Sequence, residues 1–474
     1  MLGWAIAPGE KVIRDDIRLP FVVDLETINR LESWIYEWGG RFVFIALGDR
    51  LKRLYLDSGG TLSAVYSKER QVAGSTVSAL VLDDSSHANW AKSIGEFPDQ
   101  KANQFYPLSL TSDPEFRRVL PNHYLDLERW EITRHHPKFP LAAITEQDVP
   151  EAIGQMVDCL RKNITAIANT YSRVYMPLTA GRDSRMLLAC SQPVRHKITY
   201  VTFDLATGNL LQRFFPSLRE YRFQDGARRD LSTAKKLASG LHLSHQIMPV
   251  PMSVSESVRL DYLRRIGFAG CGSGKARSHS WSCEHHADLS GAWLTGWAGE
   301  VGRCYYWRKN DVTRKHLPKW DILKRRMKMA TIPGAKEALV QWLSALPDVS
   351  APEMLDLLYL ENRLGGWASP HTYGFAPFAL AAHPFCHREV FDIMMRLPPE
   401  YRLRQTLTDD IIRCAWPELG DFPFNEYFGV DAWMNLPRST VYSFAKSTVK
   451  AMRGQRKRGE ALSKSVGPSS AVRR

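Results

Sequence analysis

The sequence lacks the marks of several large protein classes. Its seven cysteines (159, 190, 271, 283, 304, 386 and 414) are odd in number, scattered, and never spaced as C-x-x-C. That spacing argues against a disulfide framework and for reduced thiols. No apolar run reaches the roughly 18 residues of a bilayer-spanning helix. The short apolar patch in Met1–Glu10 follows no basic leader, so neither a membrane span nor a secretory signal is expected, and the expected location is the cytoplasm. Gly270–Lys275 has the look of a phosphate loop, but Ala269 and Ala276 stand where a Walker pattern needs Gly and Ser or Thr; it reads as an ordinary loop. His279, Cys283, His285 and His286 have ligand chemistry without a closed zinc spacing, and no structural zinc is expected from them.

What is present is the composition of a soluble globular chain: 474 residues, 44% hydrophobic and 24% charged. That length is more than one ordinary core accommodates, so two domains are expected. The net charge of +13 is uneven, with a basic stretch from Arg303 to Lys336 and a basic tail at 441–474 whose single acid is Glu460. Such runs read first as solvated faces, and second as a surface for an anionic partner. Aromatic-rich nucleic-acid motifs and finger spacings are missing, so no nucleic acid is expected.

Residues 1–140 read as a β-rich domain. Arg41–Leu47 and Leu51–Leu56 are strand-like around the turn Gly48-Asp49, and Asp57-Ser58-Gly59-Gly60 turns again before Leu62–Tyr66. Gly95–Pro121 reads as loop. A helix is expected over Val149–Ala168, where Ile153, Met156, Val157, Leu160, Ile164 and Ile167 recur at helical spacing. Strand and helix then alternate: Val174–Leu178, Ser184–Cys190, Lys197–Phe203, Asp230–Leu241 and Ser244–Val250. This order implies right-handed crossovers and a parallel sheet. Helices dominate from Asp356 onward.

The chemistry concentrates in Leu178-Thr179-Ala180-Gly181-Arg182-Asp183-Ser184-Arg185. A strand ends, a turn of small residues follows, and a helix begins. Small residues let backbone N–H groups approach an anion, and the helix N-terminus adds partial positive charge. Ser184 can donate to a phosphate oxygen, Asp183 can hold Mg²⁺, and Arg182 or Arg185 can contact pyrophosphate. An ordinary capped helix start explains the same residues equally well. Four tryptophans at 281, 293, 297 and 307 read first as core packing and second as a pocket floor.

Leu178–Ser184 resembles the S-G-G-x-D-S pyrophosphate loop of the asparagine synthetase family, with Thr179 and Ala180 in place of Ser and the first Gly. Further segments follow in that family's order. Asp230–Leu241 with His245 is similar to its D-x-x-x-A helix and strand, and Thr295-Gly296 with Gly299-Glu300 to its S-G-x-G-x-D-E turn. Glu361 and Arg363 resemble its E-x-R segment, and Pro384–Val390 and Leu397–Tyr401 its last two motifs. Gly40–Ile45, Asp57–Gly60, Ala64–Tyr66 and Ala73–Thr76 resemble strands of its glutamine-hydrolysing domain. The resemblance implies a degenerate Ntn-hydrolase-like domain over 1–140. An ATP-pyrophosphatase domain of the adenine nucleotide α-hydrolase type, with a helical C-terminal part, would follow over 150–440, and then the tail.

It also implies ATP and Mg²⁺ as cofactors. Leu178 to Ser184, Phe203, Thr295 and Gly296 would form the nucleotide site, Asp183 and Glu300 would be metal ligands, and Glu300 and Arg185 would serve catalysis. Adenine is expected between Leu178 and Phe203. The implied reaction is adenylation of a small-molecule or peptide carboxylate and attack by an amine or ammonia, in specialised-metabolite, peptide or surface-glycan biosynthesis, as in β-lactam synthetases or lasso-peptide cyclases. Two departures qualify it. Leu2 stands where the glutaminase nucleophile belongs, so no glutamine hydrolysis is expected, and Val301 replaces the second acid of the turn. Arg402, Arg404 and Arg413 are the cations nearest the place of the family's lysine. A non-catalytic ATP-binding descendant and an ammonia-dependent asparagine synthetase are the alternatives.

Overall fold

Short strands build the central layer, buried on both faces at its centre and on one face at the His245–Val250 edge. The computed structural model describes residues 1–474 except 9–10, 15–18, 82–104, 206–217, 252, 268–273, 375–377, 423, 425 and 427–474. The basic tail, the 270–273 part of the discounted loop and residues 95–104 therefore lie outside the described residues.

Among the described residues, nine strands occupy the first part of the chain: β1 (Leu2–Ala7), β2 (Lys11–Ile13), β3 (Gly39–Gly48), β4 (Leu51–Leu56), β5 (Val65–Ser67), β6 (Val72–Gly74), β7 (Arg117–Arg118), β8 (His123–Asp126) and β9 (Glu131–Arg134). They form an antiparallel sheet in the order β2-β1-β3-β4-β8-β9 and a smaller one in the order β6-β5-β7. The Leu51–Leu56 expectation matches β4 end to end, whereas the Leu62–Tyr66 strand begins only at Val65. Asp57 explains the delay. Its buried carboxylate accepts from the Gly59, Thr61 and Leu62 amides and holds that stretch as a turn.

The helix Val149–Thr170 follows, burying Ile153, Met156, Val157, Leu160, Ile164 and Ile167 on one face. Then come β10 (Val174–Pro177), the helix Arg182–Cys190, β11 (Ile198–Leu205), the helix Leu218–Gly240, β12 (His245–Val250), β13 (Ala292–Leu294) and β14 (Leu380–Ala382). All pairings among these strands are parallel, in the order β12-β11-β10-β13-β14. The chain runs outward from β10 to β12, then returns to lay β13 on the other side of β10. Strand order thus reverses between β10 and β13, and the loops leaving their carboxyl ends diverge there. That is where open α/β sheets form a crevice.

One apolar core runs through both parts, joining Trp4, Ile6 and Leu120 to Ile164, Met176 and Leu358. Among the described residues no helix is long and apolar enough to cross a membrane.

Candidate functional site

The cleft at the β10/β13 divergence has a volume of about 490 Å³ and is lined by Thr179, Asp183 and Ser184 from one loop and Thr295, Gly296, Trp297 and Glu300 from the other. Phe203, Trp293, His279, Trp367 and His371 give it aromatic walls.

The first loop is held by its own side chains. Thr179 Oγ1 lies 2.7 Å from Ser184 Oγ and accepts from the Gly181 amide at 3.1 Å. The Ala180 amide donates to Asp230 Oδ1 at 2.8 Å, tying the loop to the helix Leu218–Gly240. Gly181 is the N-cap of the helix Arg182–Cys190 and brings no side chain to cap the first-turn amides. That helix end therefore presents its partial positive charge beside the cleft.

The second loop sits directly on the first. A Cβ on Gly296 would lie 2.9 Å from the Asp183 carbonyl oxygen, and one on Gly299 would lie 2.6 Å from Asp183 Oδ1 and 2.7 Å from Met186 Cε. Between them Ala298 takes φ +79°, a left-handed conformation that an alanine adopts only under tertiary constraint. The loop is anchored from behind. Arg402 is fully buried, donates to the Val301 carbonyl and pairs with both oxygens of Asp356 at 2.7 and 2.8 Å. Thr295 Oγ1 bonds His383 Nδ1, whose other nitrogen lies 2.7 Å from Thr372 Oγ1.

These contacts bring two acids together. Burial first, and then the negative charge of Glu300, push the Asp183 carboxyl up to about 6, against the opposing pull of Arg303. Arg303 Nη2 donates to both Asp183 oxygens at 2.7 and 2.6 Å, and the buried Tyr359 hydroxyl donates to Glu300 Oε2. One arginine does not offset two neighbouring carboxylates, so the pair retains a demand for positive charge. Two carboxylates lining one cleft are oxygen donors of the type Mg²⁺ takes, and in this structure Arg303 occupies both oxygens of Asp183.

Several expected site residues fall elsewhere. Leu178 is fully buried in the core, so adenine cannot lie against it. Ala180, Gly181 and Arg182 shape the loop without lining the cleft, and Arg182 donates to the Gln405 carbonyl at 3.1 Å. Arg185, expected to serve catalysis, is also turned away. It is buried, donates to the Phe422 carbonyl at 2.9 Å and lies over the Phe424 ring. Arg404 and Arg413 pair with Glu146 and Asp410. Among the described residues, the cation paired with a cleft acid is Arg303, which the sequence showed only as the start of a basic stretch. Of the four tryptophans, 293 and 297 line the cleft; Trp281 stacks on His285 and Trp307 donates to Asp356. His279 lies parallel to Phe203 at 4.1 Å between ring centroids.

Compared with known proteins, the chain matches no family model and no curated protein.

Proposed function

We propose that this cleft binds ATP and that the protein is an ATP-dependent amide-forming ligase of asparagine synthetase type, working without glutamine hydrolysis. The observation that carries the reading is the meeting of the 179–184 loop with the 295–300 loop at the strand-order reversal, where the charge of Glu300 raises the Asp183 carboxyl. On this reading the fold classes are a degenerate Ntn-hydrolase-like region and an ATP-pyrophosphatase region.

The chain's own residues would work as follows. The aromatic wall of Phe203, Trp293 and Trp297 takes the adenine, with His279 already covering one face of Phe203. Thr179, Ser184 and the first-turn amides of the helix Arg182–Cys190 donate to phosphate oxygens. Asp183 and Glu300 hold Mg²⁺, which when bound neutralises the charge growing on the departing pyrophosphate. Arg303, which holds both Asp183 oxygens in this structure, would cede one of them to the ion and keep its charge beside the site. A substrate carboxylate oxygen attacks the α-phosphorus as the bond to pyrophosphate breaks. An amine nitrogen then attacks the acyl carbon, AMP leaves, and the amine gives up a proton. The amine comes from the substrate or from free ammonia, since residues 1–158 contain no cysteine.

The test is ATP–pyrophosphate exchange across a panel of carboxylates that includes aspartate, with and without ammonia. Exchange with one acid, followed by amide formation, supports the ligase. Glu300→Gln then separates the roles: loss of exchange and amide together makes Glu300 a metal ligand, while loss of the amide alone makes it the acceptor's base. The Asp183–Arg303 ion pair, with the buried Val301 in place of a second acid, favours a second reading, a nucleotide-binding protein without ligase chemistry. ATP binding with no exchange on any acid would select it.

A further inference from the structure

Away from the cleft, the start of the helix Arg388–Arg396 meets the middle of the helix Val149–Thr170. A cavity of about 380 Å³ opens there against Ile6, Pro8 and Glu37. In its wall Cys159 Sγ, a ring nitrogen of His387 and a carboxylate oxygen of Glu389 all lie within 4.8 Å of one another. Among the described residues lining this space, Glu37, Asp158 and Glu389 face a single lysine, Lys162, so the wall is net negative.

We propose that Cys159, His387 and Glu389 form a binding site for a divalent transition-metal ion of the Zn²⁺ type, with a fourth position open to the cavity. Sulfur, imidazole and carboxylate are the donor types zinc takes. Tetrahedral ligands at zinc distances stand roughly 3.3–3.8 Å apart, so closure asks for a contraction of at most about 1–1.5 Å.

The ring of His387 is already oriented. Nε2 lies 3.1 Å from the Glu37 carbonyl oxygen, which can only accept, so Nε2 carries the proton and Nδ1 the lone pair. Nδ1 is thus the ligand, and binding exchanges its 3.2 Å bond from the Glu389 amide for the metal. The Glu37 carbonyl becomes the outer partner that fixes a metal-bound histidine. The Cys159 thiol proton leaves to solvent as the thiolate binds. The ion would join two helices and leave the cleft untouched.

The test is a titration of the full chain, stripped with chelator, with Co²⁺ and then with competing Zn²⁺. One Co²⁺ per chain is expected, with a thiolate-to-cobalt charge-transfer band that Zn²⁺ displaces. Cys159→Ser should abolish the band, and Glu389→Gln should weaken affinity by about 10-fold or more. No stoichiometric uptake by the unmodified chain would overturn the proposal, as would a band that survives in a folded Cys159→Ser. If Cys159→Ser does not fold, the exposed Glu389 still decides: unchanged cobalt affinity in Glu389→Gln overturns the site.

Discussion

Glu361 and Asp183 are both acids with an arginine held against them, and the two regions treat them in opposite ways. Glu361 has no exposed surface and sits at the seam between the antiparallel strands and the later helices. It accepts from both terminal nitrogens of Arg134 on β9, from Trp342 Nε1 at 2.7 Å and from Asn122 Nδ2 at 3.2 Å. Burial pushes its carboxyl up, but Arg134 and the other donors carry it below the usual carboxylate range. Asp183 faces a cleft, has one arginine, and shares it with the field of Glu300, which leaves its carboxyl raised. An acid whose donors are complete is holding the fold together. An acid left short of positive charge at the mouth of a cleft is, on the proposed reading, where a cation would be received.

The largest effect is expected at Glu361. Glu361→Gln should cost about 3–5 kcal/mol of stability, because it leaves Arg134 without its countercharge at a buried seam. Chemical denaturation reads this, and a loss below about 1 kcal/mol would mean the seam is not held by charge. The folded carboxyl of Glu361 lies below its unfolded value, so its contribution is present above pH 4.5 and fades as pH falls through the folded value.

Asp183→Asn should do the reverse. Exchange activity should fall about 10²-fold or more, near 3 kcal/mol of transition-state stabilisation. Stability should not fall with it. The carboxyl ionises near 3.8 unfolded and about 6 folded, so its ionisation weakens the fold as pH rises through that window. The variant should match the unmodified protein below pH 4 and melt higher above pH 6. A variant that melts lower at pH 8 would place Asp183 with Glu361 as a structural acid.

The smallest effect is expected at Gly299. Gly299→Ala places a methyl 2.6 Å from Asp183 Oδ1, which should displace the carboxylate for about 1–3 kcal/mol of strain. Activity should drop roughly 10- to 100-fold with a modest change in melting temperature. Wild-type turnover would show that Asp183 has room to move.

The sequence made the strand–helix alternation legible because two-sided burial and helical spacing are local signals. Four of the expected parallel-sheet elements lie within two residues of their observed ends; the helix at Asp230–Leu241 starts earlier, at Leu218. Thr179, Asp183 and Ser184 were legible in the same way, as small and acidic residues placed just after a strand, whereas Thr295, Gly296 and Glu300 were reached only by resemblance to a family turn, since the three-residue strand before them, Ala292–Leu294, is too short to stand out. The cations were not. Arg303 meets Asp183 from 120 residues away, and nothing in its surroundings separates it from the basic stretch it opens. Arg185 stands within the loop motif yet turns to the Phe422 carbonyl, 237 residues on. Glu361 and Arg363, paired by resemblance to one short segment, diverge. The first faces Arg134, while the second lies over the Tyr305 and Trp367 rings.

The cleft between the ends of β10 and β13 is proposed to take ATP. The most direct measurement is titration with an α,β-methylene ATP analogue, with and without Mg²⁺, read by calorimetry and by the fluorescence of Trp293 and Trp297 in its walls. Saturable, Mg²⁺-strengthened binding by the unmodified protein is expected. That binding should disappear in Ser184→Asp, where a negative charge enters the loop beside the phosphates. No binding at millimolar nucleotide, or equal binding by a folded Ser184→Asp, would contradict it.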